Sequence, residues 1–487
     1  MEANGKSFSV KVIDNAVVHA NDPRNDHWLP FTNLDLLVPP FDVGSFFCYK
    51  KPSQVTFPTL VNTLKASLSR ALSLYYPLAG EILWNAEAGE NQFHCNNRGV
   101  DFVEATADVQ LKDLNLYNPD ESIEGKLMPK KLHGVLVVQD LNLYNPDESI
   151  EGKLMPKKLH GVLVVQVTEL KCGGLVIGCM FDHRAVDGYS SNMFILSWAD
   201  ITRSETSSMS PSFGRDIFNP RCPTTYSSSI NDVFAIFKPP TKPGHDQDYD
   251  ERKHILTNRV YYIEGEHLKK VKLLASEKGC RRSTLVAFTS LFWKIVALSM
   301  DESRNSKKVC HMALAVDGRR RLSEGAGKEK EKLVISHFGN VLSMPSGAIR
   351  AQELKHMCLS DIAVKVHEFL QTATCKDHFL DLIDWVEERR SLPLVARAFA
   401  STEMSVIVSA GHTYQVMDKI DFGWGKVAFG SCHIPSSRKD CIVMTLPSPT
   451  NNDDWVVYMR MPVQTINYIE AHSNNMFKPL NADYLRI

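Results

Sequence analysis

His183-Arg184-Ala185-Val186-Asp187-Gly188 sets a histidine and a carboxylate four residues apart, just after the apolar run Gly173-Gly174-Leu175-Val176-Ile177-Gly178. The run reads as a strand that would hold the histidine ring rigidly. An imidazole with an unperturbed pKa near ~6.5 can take a proton from an attacking hydroxyl and return it to a leaving group. Glycine at 188 lets backbone or substrate approach closely. Two readings of Asp187 are open: it orients the imidazole, or it binds an arginine that locks the fold. His-x-x-x-Asp also arises by chance, and for these six residues alone a satisfied, partly buried histidine is the better reading. A second signal lies far downstream, the Gly/aromatic turn Asp421-Phe422-Gly423-Trp424-Gly425.

Around these motifs the chain is ordinary for a folded protein. Its 487 residues suggest two to four domains, and 44% hydrophobic with 23% charged residues argues against long disorder. Net charge is −1 and the densest charged run, Lys328-Glu329-Lys330-Glu331-Lys332, alternates in sign, which excludes a surface built for nucleic acid. The N-terminus has no apolar core of signal-peptide length, and no stretch approaches the ~20 apolar residues of a membrane span. A cytoplasmic protein without a membrane partner is expected. Eleven scattered cysteines without a Cys-x-x-Cys pair predict reduced, mostly buried thiols rather than a disulfide frame or a metal site.

Residues 113–139 recur unchanged at 140–166. Two perfect copies suggest a recent duplication or a gene-model error rather than a solenoid, which needs at least three. Each copy ends in Gly-Val-Leu-Val-Val-Gln, a plausible buried strand, and a sheet has one slot for it. Residues 161–166 run on into Val167-Thr168-Glu169-Leu170, so the second copy is expected in the slot. The first copy's strand is then expected in an extruded loop or at an edge, where it would invite aggregation.

Leucines 60, 64, 68 and 72 predict a helix starting near Pro58 and stopping before Pro77. Met193, Phe194, Trp198 and Ile201 predict another over 189–201, and a third runs from about Ser283 to Met300, with Ser283 or Thr284 as its cap. Residues 260–263, 311–316 and 455–459 read as strands. Six prolines and many serines make 204–255 a crossover linker that does not easily hold a core. The organisation expected is therefore 1–203, the linker, and 256–487, all of mixed α/β character.

Several segments resemble one family across nearly the whole chain. They are Tyr76-Pro77-Leu78-Ala79-Gly80, Val167-Thr168 with Cys172-Gly173-Gly174, Asp317-Gly318-Arg319-Arg320-Arg321, His337-Phe338-Gly339-Asn340 and the two opening motifs. Together they resemble the BAHD acyltransferases, plant enzymes that move an acyl group from coenzyme A to an alcohol or amine. The resemblance implies two mixed-sheet domains of chloramphenicol-acetyltransferase type with a central channel between them. It implies His183 as general base, Asp187 as a structural residue held by an arginine, with Arg319 as candidate partner, and Gly188 beside them. Asp421, Gly423, Trp424 and Gly425 would shape the fold and the coenzyme A side. Acyl-CoA enters as co-substrate, with no bound cofactor and no metal, and the protein is expected to be a monomer.

Many members place a hydroxyl residue and a tryptophan some ten residues before the second motif. Here Val408-Ser409-Ala410-Gly411-His412-Thr413 lacks the tryptophan; Ser409 is either the oxyanion donor or a loop serine. Members acting on shikimate or quinate are expected to offer a cation to the acceptor's carboxylate. No arginine lies between Ala398 and Asp421, which favours a neutral alcohol. The run Trp28-Leu29-Pro30 with Asn33-Leu34-Asp35-Leu36-Leu37, and Gly430-Ser431-Cys432, look closest to coniferyl-alcohol-type members. An O-acyltransferase acting on a phenylpropanoid-type alcohol is the leading expectation. An N-acyltransferase and a catalytically silent partner protein are the alternatives.

Overall fold

Thr56 starts the first long helix, Phe57–Leu74, by accepting a hydrogen bond from the Thr59 backbone N–H, with Pro58 in the first turn. Leu60, Leu64, Leu68, Ala71 and Leu72 form its buried face, each leucine contributing roughly 1.5–3 kcal/mol of burial. A second helix, Gly188–Ser204, packs on it through Met193, Phe194, Trp198 and Ile201. The Trp198 indole N–H donates to Ser67 Oγ at 3.1 Å, so a buried polar atom is satisfied across the helix pair. The computed structural model describes residues 7–53, 55–129, 161–204, 206–207, 209–237, 256–277, 279–300, 308–400, 404–411, 417–435 and 441–487.

This helix pair covers one of two mixed sheets. The first has six strands in the order Val10–Val18, Val100–Ala107, Leu163–Leu170, Leu175–Asp182, Asp42–Tyr49 and Phe429–His433. Only the Val100–Ala107 and Leu163–Leu170 pair is parallel. The second sheet runs Leu342–Ser343, Val309–Asp317, Ser405–Ser409, Cys441–Pro447, Trp455–Pro462, Leu256–Ile263 and Lys478–Pro479, with Ser346–Arg350 also paired to Val309–Asp317. Its core is closed by the helices Gly265–Ala275, Thr284–Leu298 and Leu359–Thr372. Ser283 caps the middle one, its Oγ accepting from the Val286 N–H at 3.2 Å.

Sheet membership crosses the boundary read from the sequence. Phe429–His433 lies in the second half of the chain yet pairs antiparallel with Asp42–Tyr49 in the first sheet. Ile420, Phe422 and Val427 likewise join the core under the first helix pair.

Two expectations need correcting. Within 204–255, Phe218, Ile230, Val233 and Phe234 are buried in a core shared with Phe379, Leu382, Ile383 and Trp385. Phe234–Ile236 also forms a two-stranded ladder with Leu394–Ala396. Prolines punctuate this stretch, but the apolar residues between them dock on a helix more than 140 residues later. Nor are the cysteines mostly buried: Cys48, Cys95, Cys179, Cys310 and Cys441 are, whereas Cys172, Cys222, Cys280, Cys358 and Cys375 are exposed and Cys432 lies between. All eleven are free thiols.

The duplication is divided between its copies. Leu163–Leu170, fed by the second copy, occupies the slot between its two neighbours. Residues 113–129 of the first copy also pack, with Leu114, Leu116, Ile123, Leu127 and Met128 buried and Asp120 accepting from Asn258. The early part of the first copy is therefore packed structure rather than an extruded loop, and 140–156 repeat its sequence without change. The first copy's strand, 134–139, lies outside the described residues. Because the copies are perfect, excising any 27 consecutive residues within 113–166 yields the same 460-residue chain. That chain is expected to keep or raise soluble yield and activity. Loss of soluble protein on excision would show that the extra length is needed.

Candidate active site

The strand Leu175–Asp182 ends at the His183 turn, at the rim of the first sheet. The His183 backbone N–H donates to Phe41 O at 2.8 Å, extending the pairing with Asp42–Tyr49 by one residue. The Phe41 ring lies against the imidazole, centroids 4.8 Å apart. Arg184 folds back on Asp182, its Nε and Nη2 at 3.0 and 2.7 Å from the two carboxylate oxygens. His183 is half-buried, whereas Asp187 is buried and Gly188 exposed.

Asp187 turns away into protein. Arg319 Nη1 donates to its Oδ2 at 2.7 Å and Nη2 to its Oδ1 at 3.2 Å. The Ser190 N–H adds a bond to Oδ1 at 2.8 Å, and the Val341 N–H one to Oδ2 at 3.1 Å. Arg319 is itself buried, and its guanidinium also reaches Asp317, Ser190 Oγ and the carbonyls of His337 and Gly339. The Tyr189 ring sits 4.5 Å from the guanidinium carbon. Burial pushes the neighbouring Asp317 carboxyl up, against the opposing pull of Arg319. A carboxylate already holding four donors is an anchor for the helix start and for the 337–341 segment.

Asp421 closes its own turn, Oδ1 accepting from the Gly423 and Gly425 N–H groups at 2.8 and 3.0 Å. Both glycines have positive φ, 104° and 115°, which a side chain would strain. Phe422 and Trp424 stack on each other at 5.5 Å and meet Tyr49 edge-on, while Trp198 abuts Phe422 at 5.0 Å. The turn thus fastens the second half of the chain onto the first sheet and its helix, and it leads into the Phe429–His433 strand. Ser409 ends its strand in the other sheet, level with Ala315 and two residues short of Asp317 in register. Among the described residues its hydroxyl has no hydrogen bond to the His183 turn, so the structure does not join these two.

A family model described as the transferase family matches residues 8–476. The chain belongs to the BAHD acyltransferases. It is 25% identical to a hydroxycinnamoyltransferase of Narcissus pseudonarcissus, covering 86% of this chain and 89% of that one. It is 27% identical to an anthranilate N-benzoyltransferase of Dianthus caryophyllus, over 87% and 92% of the two chains. Vinorine synthase shares the fold with a TM-score of 0.66 at 19% identity, covering 97% of this chain and 99% of that one. TRI101 of F. graminearum, solved with ethyl coenzyme A, gives 0.68 at 14%, over 93% and 99%. The two mixed-sheet architecture is that of these structures.

Within this BAHD site, sequence reasoning gave no role to Asn340, Asp35 or Ser190. Ser190 Oγ donates to Gly339 O at 2.8 Å and accepts from Arg319. The motif His337-Phe338-Gly339-Asn340 was visible as a string, but nothing in it announces which carbonyls it serves.

Buried imidazoles elsewhere predict that the fold is acid-sensitive. Burial holds His378 and His433 down to about 4 and keeps His337, flanked by Arg215 and Arg319, well below the usual range. Each binds its proton more weakly when folded, so below pH about 6.5 the unfolded chain gains protons the folded one refuses, and stability falls toward pH 4. Asp317, with its carboxyl raised, opposes this only where it takes up its own proton. The melting temperature should drop between pH 7 and pH 5; a flat profile would contradict the assignment.

Proposed function

We propose that this BAHD acyltransferase moves a hydroxycinnamoyl or acetyl group from coenzyme A to a phenylpropanoid-type alcohol, with His183 as general base. The acceptor's oxygen attacks the thioester carbonyl carbon as its proton passes to the imidazole. The carbon–sulfur bond then breaks, and the imidazolium returns the proton to the departing thiolate. No bond to the enzyme forms. The observation that carries the reading is the division of labour in the hexapeptide. His183 stands partly buried at a strand end with its main chain fixed, while Asp187 is engaged by Arg319 and two backbone N–H groups. Donor and acceptor would reach the ring from opposite ends of a channel between the two halves.

Ser409 is the proposed oxyanion donor, and the lack of arginine between Ala398 and Asp421 supports a neutral acceptor. A cytoplasmic monomer, without nucleic-acid or membrane partner, completes the proposal. The test is thiol release from several acyl-CoA donors with alcohols, carboxylated alcohols and amines as acceptors, each product being identified as ester or amide. Ester formation with neutral alcohols is expected. Amide as the main product would move the assignment to N-acylation, and no acceptor-dependent release from any pair would favour a silent partner protein.

A further inference from the structure

Two stretches far apart in sequence, 32–41 and 339–340, converge on the main chain that carries His183. Asn340 is fully buried, and its side-chain Nδ2 donates to both His183 O and Arg184 O, each at 3.0 Å. Two carbonyl oxygens at that distance fix which end of the amide faces them, because only the NH2 end can donate. Asn340 is aimed by Asp35, whose Oδ1 accepts from the Asn340 backbone N–H at 2.7 Å and lies 3.3 Å from its Nδ2, sharing one of the two side-chain N–H groups with a carbonyl. Asp35 is anchored in turn: its Oδ2 accepts from Thr32 N and Oγ1 at 2.9 and 2.8 Å. Gly339 leaves room for this approach, since a Cβ there would come within 3.0 Å of Asp35 Oδ1 and 2.8 Å of His337 Nε2.

With the His183 N–H given to Phe41 O, both main-chain polar groups of His183 are held, by strand pairing on one side and by Asn340 on the other. We propose that Asn340, oriented by Asp35, is a positioning residue for acyl transfer, fixing the backbone from which the His183 imidazole reaches the acceptor. The inference rests on His183 being the base. A general base must sit within hydrogen-bond reach of its proton, and a displacement of about 1 Å can cost on the order of 100-fold in rate.

Asn340→Ala, assayed well below its melting temperature, should lower kcat about 10- to 100-fold while KM for acyl-CoA and for the acceptor stays within about twofold of wild type. Asn340→Ser guards against poor folding: its backbone N–H still serves Asp35, while its shorter side chain lacks the amide that bonds the two carbonyls, so the same kcat loss is expected. In a His183→Ala background, adding Asn340→Ala should change the residual rate by less than about twofold, because a positioning residue has nothing left to position. Wild-type kcat in Asn340→Ala or Asn340→Ser overturns the proposal, as does a full additive loss in the double variant. His183→Ala with normal turnover would instead overturn the assignment of the base.

Discussion

Arg319→Ala is expected to destabilise the folded protein by about 3–5 kcal/mol, the range for removing one partner of a buried ion pair. Arg319 and Asp187 are both essentially inaccessible to water, so truncation leaves a carboxylate buried with only two backbone donors. The carbonyls of His337 and Gly339 and the hydroxyl of Ser190 lose a donor at the same time. Arg319→Lys should recover little, since one ammonium cannot span both carboxylate oxygens and these carbonyls in the fork geometry of a guanidinium. Denaturant unfolding and soluble yield are the measurements. A midpoint for Arg319→Ala within error of wild type would show that the pair is not what joins the helix start to the 317–341 segment.

Patterning carried in short windows was legible, and partnerships across the chain were not. The helix starting at Phe57 was announced by leucine spacing and Pro58, the one at Gly188 by the spacing of its apolar residues, and the one at Thr284 by its capping Ser283, all local. The second copy's claim on the strand slot followed from continuity into Val167–Leu170. The Arg319–Asp187 pair, 132 positions apart, could be suggested only by resemblance, and Asn340, 157 positions from His183, could not be assigned at all. No periodicity links Phe218 and Phe234 to Phe379 and Trp385, so a proline-rich stretch read as coreless. Phe429–His433 is too short, and too rich in small and polar residues, to reveal that it belongs to the first sheet.

The division of roles within the hexapeptide gives the largest kinetic effect. His183→Ala should reduce kcat about 100- to 10,000-fold, the usual share of a general acid–base group. It should leave the fold intact, because the ring is only partly buried and the hydrogen bonds that hold the turn go to the main-chain groups of His183 rather than to its ring. Asp187→Asn provides the contrast. If Asp187 oriented the imidazole, that change would depress kcat in a protein of normal stability. With the carboxylate bound instead to Arg319 and two backbone N–H groups, the loss should appear in the unfolding midpoint, and the surviving folded enzyme should turn over within about tenfold of wild type. A stable, folded Asp187→Asn protein as inactive as His183→Ala would restore the dyad. A His183→Ala protein with kcat within about tenfold of wild type would mean that another group takes the acceptor's proton.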